Sequence, residues 1–415
     1  MTKNRNERQF DEYREWQWAK HTAFGDYIVP WSMKVGSTSK RIFVADLFAG
    51  AGVYTDEVTD NKTNGSPVIF ARRAVKYGED RPGRSMHVIC TERNRKNFAS
   101  LEHRMAGFVE SGHATLRHGN YARHCDEVLA IMGTDPAIIL LDPIGLKTIT
   151  ADVCRPLLQR VGKTDVFIIL HFKVIHRVAG MLLSTGHADP AIHGAVKNAE
   201  TIDAFFDSVR WRHIACQPGL DATQRERMYV DLYFEHVLGD RYRWKCAYPV
   251  RPKYESKVKY WLVQASDNID AFLLMNDEIV KLDALLYQRA APKQGMLEGF
   301  EVIESEAKQA EWETMYDERL MTLQHATAVL LGSKEGNALP FDQIRRALLD
   351  DHFGRVKQGA YAKVIKAACK TGRFAREERL AATVRDDEII TLVTPGTPEP
   401  KRKSDEVVVP LRPAA

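Results

Sequence analysis

Hydrophobic residues come in short unbroken runs, and helical patterns fill the stretches between them. The clearest runs are Ile42-Phe43-Val44-Ala45, Ala137–Leu141 and Val166–Leu170. Apolar at consecutive positions, they predict strands buried on both faces. Two more strands are expected over 86–91 and 113–117. Helical patterns follow over 67–77, 95–108, 121–132 and 151–161. Ser66 is expected to cap the first of these, with Pro67 at its first position. Five strands alternating with helices predict a parallel, doubly wound α/β sheet, because parallel strands need crossover connections.

Ahead of the first strand, residues 1–41 read as an amphipathic helical segment carrying Phe10, Tyr13, Trp16, Trp18, Phe24, Tyr27, Ile28 and Trp31. Pro30 is expected to mark a break or a new helix start. The stretch 53–66 reads as a polar loop, and 176–238 as a helical insertion. Tyr242–Val250 and Val258–Ala265 then predict a late hairpin, with helices after it over 270–288 and 311–331. Residues 332–337 read as a linker. Two helices (341–350 and 361–371) and two strand segments (374–383 and 388–393) follow in the minimal order of a winged helix. The expected organisation is therefore an N-terminal segment over 1–40, an α/β domain over 41–290, connecting helices over 291–332, a winged-helix-like domain over 333–394 and a disordered tail over 395–415.

Composition narrows the classes. The chain has 415 residues, 44% hydrophobic and 27% charged. That balance fits two or three globular domains and excludes a collagen-like or wholly disordered protein. No apolar run approaches the ~18 residues of a membrane span. The charged start leads into no apolar leader, so a cytoplasmic protein without a membrane partner is expected. The six cysteines form no C-x-x-C pair, which argues against a metal site or a disulfide framework. The net charge is only +4, but residues 341–385 hold eleven Lys and Arg against five Asp and Glu. Lys363, Lys366 and Lys370 share one helix face there, with Arg373 just beyond, as phosphate contacts would require. A solvated face of a protein-binding module is the alternative.

The candidate chemistry sits at strand ends, where open α/β sheets bind ligands. Asp46-Leu47-Phe48-Ala49-Gly50-Ala51-Gly52 follows the first strand as D-x-F-x-G-x-G, the S-adenosylmethionine loop of many DNA and RNA methyltransferases. The glycines let backbone approach a ligand without Cβ clashes. Glu92 ends the second strand, where a carboxylate can accept from both ribose hydroxyls, or else cap a helix. Asn120 ends the third, suited to an adenine edge or to a helix N-cap. The fourth ends in Asp142-Pro143-Ile144-Gly145. This turn resembles the catalytic motif of amino methyltransferases, where a carboxylate or amide and the next carbonyl orient an exocyclic amine. A purely structural turn is the rival reading. His171, Lys173 and Arg177, past the fifth strand, are further candidates for meeting an anionic substrate.

A parallel sheet closed by a late antiparallel hairpin is the pattern of the class I methyltransferase fold. The ordered set Lys20-His21, Asp46–Gly52, Gly65-Ser66-Pro67, Thr91-Glu92-Arg93-Asn94, Asp142–Gly145 and Tyr260–Ser266 resembles the three-Cys-motif partner protein family of bacteria and some archaea, over about residues 10–285. Ala51 stands where that family has Pro, and Ile144 where it has Phe. The resemblance implies a methyltransferase-like protein working beside a neighbouring three-Cys-motif gene product, itself similar to radical S-adenosylmethionine enzymes. Some such gene pairs look like mobile or defence elements, which implies a DNA or RNA partner.

The combined expectation is a seven-stranded, class I methyltransferase-like domain that moves a methyl group to a nucleic-acid nitrogen. Asp46, Phe48, Gly50, Gly52, Glu92 and Asn120 would bind S-adenosylmethionine. Asp142 and Pro143 would orient the acceptor, and Lys363, Lys366, Lys370 and Arg373 would contact nucleic acid. The alternatives are a non-catalytic targeting subunit and a winged-helix regulator with a sensory α/β domain.

Overall fold

The computed structural model describes residues 15–55, 62–184, 191–251, 256–289, 300–376 and 383–393. Phe10, Tyr13, Glu377, Glu378, Arg379 and the tail 395–415 lie outside them. The chain divides into two units, 1–290 and 291–415.

In the first unit the apolar runs become the centre of a seven-stranded sheet. In chain order its strands are β1 (Arg41–Asp46), β4 (Ser85–Glu92), β5 (Ala114–His118), β6 (Ala137–Leu141), β7 (Thr164–Leu170), β8 (Trp244–Val250) and β9 (Tyr260–Ser266). They lie in the order β5-β4-β1-β6-β7-β9-β8. All neighbours pair parallel except β9, which runs antiparallel to both β7 and β8. This order fits a class I methyltransferase-like α/β fold. The strand order reverses at β1, which opens a crevice beyond the carboxyl ends of β1, β4 and β6.

Alternation sorts the strand residues onto two buried faces. Phe43, Ala45, Ile139, Leu141, Val166 and Ile168 join one core. That core also holds α4 (Tyr121–Met132), α5 (Ala151–Leu158) and the insertion helices α6 (Lys173–Ser184), α7 (Ala191–Phe206), α8 (Trp211–Cys216) and α9 (Ala222–Tyr233). The other face carries α1 (Glu15–Val35), α2 (Ser66–Asp80), α3 (Arg95–Glu110) and α10 (Ile269–Arg289). There the rings of Phe24 and Tyr27 meet Phe167 edge-on at 5.2 and 5.0 Å.

Several expectations change. Pro30 does not break α1, which runs through it. Burial of Tyr27, Ile28 and Trp31 around it outweighs the one hydrogen bond a proline removes. Gly65, not Ser66, is the N-cap of α2, with no side-chain cap bond. Part of the expected loop over 53–66 is a small hairpin, β2 (Val53–Thr55) with β3 (Lys62–Asn64). Three polar-flanked residues a side are too few to show a period.

The second unit opens with α11 (Phe300–Gly332), which begins eleven residues before the expected 311. Then come β10 (Ala338–Pro340), α12 (Phe341–His352), α13 (Gln358–Lys370), β11 (Phe374–Arg376) and β12 (Ile389–Leu392). The three strands form one antiparallel sheet in the order β10-β12-β11. The short β10, between the expected linker and the helix that follows it, escaped the sequence reading.

Candidate functional site

β1 delivers Asp46 to the crevice and the chain turns at once. The Leu47 N–H donates to Leu140 C=O at 3.2 Å, and the Ala49 N–H to Thr91 C=O at 3.0 Å. Thr91 Oγ1 donates to Leu47 C=O at 2.7 Å. Neighbouring strands thus pin the bend from both sides. Gly50 and Gly52 have φ of +65° and +70°, a region that disfavours any side chain. The two glycines then differ. A Cβ built on Gly50, a buried residue, meets no atom within 4 Å. One built on Gly52 lies 3.1 Å from Leu101 Cδ1, so this glycine makes room for α3. Gly50 leaves a cradle of open space at the bend, and Gly52 lets a helix close beneath it.

Glu92 faces the cradle. Its Oε2 accepts from the Gly50 N–H at 2.9 Å and its Oε1 from the Asn94 N–H at 2.6 Å. Each oxygen keeps a second lone pair. Asp46 lies deeper, 1% exposed, and accepts from Ser66 Oγ at 2.7 Å and from the Phe48 N–H at 3.4 Å. This bond explains why Ser66 does not cap α2. Burial pushes the Asp46 carboxyl up to about 6, with the Ser66 bond working against it.

A raised carboxyl pKa means the fold binds a proton more tightly than the unfolded chain does. The resulting penalty is absent well below pH 3.8, grows as pH rises from there to about 6, and is complete above that. Asp46→Asn is therefore expected to stabilise the fold by about 1–3 kcal/mol at pH 8. The gain should shrink to about a third of that at pH 4.5 and be nearly gone at pH 3, as read by urea unfolding at the three pH values.

Asn120 is the N-cap of α4, its side chain accepting from the Ala122 N–H at 3.2 Å. Phe48 packs edge-on against Tyr121 at 5.3 Å, anchoring the bend to the core that holds α4. Pro143 is buried, while Ile144 is 57% exposed.

Asp142 meets a partner that the motifs do not reveal. Lys20 Nζ, from α1, donates to Asp142 Oδ2 in an ion pair whose side chains are 8% and 22% exposed. Burial disfavours the Lys20 ammonium, but the Asp142 carboxylate, with Tyr54 and Tyr260 beside it, more than offsets that and the Lys20 pKa is raised. His21 stands beside Tyr54 at 5.1 Å, its pKa lowered by burial and then by the Lys20 charge. His171 stacks edge-on with Tyr260 at 5.7 Å, and burial lowers its pKa while the Asp142 charge works the other way. Elements distant in sequence thus build one buried polar centre next to Asp142. Lys173 and Arg177 are exposed one turn apart on α6. Charged Lys20 in a helix that otherwise buries Ala19, Ala23 and Phe24 was the available signal.

In the second unit Lys363, Lys370 and Arg373 are exposed and Lys366 is half-buried, opposite the buried Tyr361, Val364, Ile365 and Ala368. Arg376 does not belong to that surface. It is 2% exposed and donates through Nε to Glu388 Oε1 at 2.7 Å, with Glu388 fully buried. Among the described residues no group of His, Cys, Asp and Glu could hold a metal ion, and no helix is long and apolar enough to cross a membrane.

No family model and no curated protein matches the sequence. Solved structures do. A Klebsiella pneumoniae protein described as an O-methyltransferase is 12% identical, with 61% of this chain and 88% of that one covered, at a TM-score of 0.29. A Clostridium thermocellum protein described as an rRNA methylase is 9% identical, with 58% and 97% covered, at 0.27. A spermidine synthase in complex with the transition-state analogue AdoDATO is 10% identical, with 65% of each chain covered, at 0.30. Scores this low leave the fold class resting on the strand order.

Proposed function

We propose that the chain is an S-adenosylmethionine-dependent methyltransferase acting on a nucleic-acid nitrogen. One observation carries the reading: Gly50, buried and at positive φ, has empty space where a side chain would stand, and the Glu92 carboxylate holds its N–H. Gly50 and the Leu47–Gly52 backbone would cradle the cofactor, and Glu92 would accept from the ribose hydroxyls through its remaining lone pairs. Asn120 would present its amide NH2 to the adenine edge, its carbonyl being used by α4. Bound there, S-adenosylmethionine supplies a methyl group on a sulfonium, ready for in-line attack by a nucleophile.

Asp142 and Pro143 would set the acceptor. Lys20 takes Asp142 Oδ2, and among the described residues Oδ1 carries no hydrogen bond. An acceptor N–H donating to Oδ1 and to the Pro143 carbonyl would have its lone pair turned out of that plane. The contribution is positioning. Exposed Ile144 gives an apolar face to the acceptor ring, weaker than aromatic stacking.

The second unit reads as a winged helix, supported by the order α11-β10-α12-α13-β11-β12 and its three-stranded sheet. Lys363, Lys366 and Lys370 on α13, with Arg373, would track phosphates. The partner would be the three-Cys-motif protein that the sequence resemblance implies, in the cytoplasm.

The test is transfer of a labelled methyl group to mixed DNA and RNA, with and without that partner. Wild type is expected to label one of them, and Asp142→Ala to cut the rate about 100-fold or more with cofactor affinity kept. The ion pair already engaging Asp142 favours a second reading, a non-catalytic targeting subunit. That reading gains if wild type labels nothing under either condition.

A further inference from the structure

Behind the glycine bend, α2 and α3 enclose a cleft of about 300 Å³. It is lined by Asn64, Val68, Arg72, His103, Arg104 and Phe108, none of them acidic. We infer that this cleft binds a phosphodiester of the nucleic-acid backbone, so that the methyltransferase unit grips its own substrate. The inference rests on the proposal that the acceptor is nucleic acid.

Position is the first argument. The space a Gly52 Cβ would take is 3.7 Å from both Arg104 Cδ and Val68 Cγ2, so the cleft starts at the glycine bend. Lys96, Ser100 and Arg104 follow at helical spacing on one face of α3. Ser100 Oγ donates to Ala51 C=O at 3.1 Å, which turns that face toward the bend. Backbone gripped here lies next to the cofactor loop.

Charge is the second. The neighbouring cations on α2 are satisfied. Arg73 donates to Ser32 Oγ and Asp80, and Lys76 pairs with Asp80. Arg72 and Arg104 differ, each making no hydrogen bond or ion pair among the described residues. Two guanidiniums lining one cleft repel each other until an anion enters. Their forks match phosphate oxygens two at a time, and the Asn64 amide adds a neutral donor. Phe108, one turn beyond Arg104, offers a ring face to a base or sugar. The volume suits about one nucleotide unit.

The experiment measures binding of the full chain to a fluorescein-labelled mixed-sequence oligonucleotide by anisotropy, as single-stranded DNA and as single-stranded RNA, over a range of salt. Arg72→Glu/Arg104→Glu should bind whichever probe wild type prefers at least about tenfold more weakly, with the salt slope lower by about 1.5. Arg72→Lys/Arg104→Lys should stay within about threefold, and the calorimetric affinity for S-adenosylmethionine should be unchanged in both. Equal binding by wild type and the Glu variant overturns the cleft and leaves the acceptor proposal standing. No binding of either probe by wild type overturns both.

Discussion

Replacing Lys20 by methionine is expected to lower the stability of the first unit by about 3–5 kcal/mol, because it strands the Asp142 carboxylate without its cation. Methionine keeps most of the lysine's volume, so the loss isolates the charge. Lys20→Met/Asp142→Asn should recover most of it, since removing both members of a buried pair leaves no unpaired ion. The raised Lys20 pKa fixes the pH window. A cation with a raised folded pKa contributes fully below its unfolded value, so the effect should be constant from pH 6 to about pH 10. Urea unfolding followed by tryptophan fluorescence measures it. A loss under about 1 kcal/mol would show that solvent already screens the pair. Activity should fall with stability in Lys20→Met, because the pair fixes the carboxylate proposed to orient the acceptor.

The second large effect is expected at Gly50. Gly50→Leu should weaken binding of S-adenosylmethionine by 100-fold or more, since its side chain fills the one open position of the bend. The positive φ adds strain of about 1–2 kcal/mol, felt in stability. Gly50→Ala separates the two contributions. It carries nearly the same strain with far less occlusion, and should lose about tenfold in affinity. Isothermal calorimetry beside thermal melts of both variants reads the difference. Equal losses in the two would mean that strain dominates and the cradle does not.

Much of the architecture was legible because it follows from short-range chemistry. Apolar runs such as Ala137–Leu141 announced buried parallel strands, and Tyr121–Met132 read as a helix with the limits it has. The bend was legible because glycine is needed where φ is positive. What stayed hidden depends on distant neighbours. Ser66 looked like a cap, yet its hydroxyl is claimed by Asp46, twenty residues earlier in the chain. Pro30 looked like a break, yet tertiary burial holds the helix through it. Arg376 counted as surface charge until its buried partner Glu388 was in view. Lys20 and Asp142 are 122 residues apart, and no local pattern announces an ion pair across that distance.

Calorimetric titration of S-adenosylmethionine and S-adenosylhomocysteine into the wild-type chain tests the account most directly. It predicts saturable heat at one site for both compounds, with dissociation constants of about 100 µM or tighter, and the loss of both signals in Gly50→Leu. No heat from wild type at about 1 mM of either compound, or equal heat from Gly50→Leu, would contradict it.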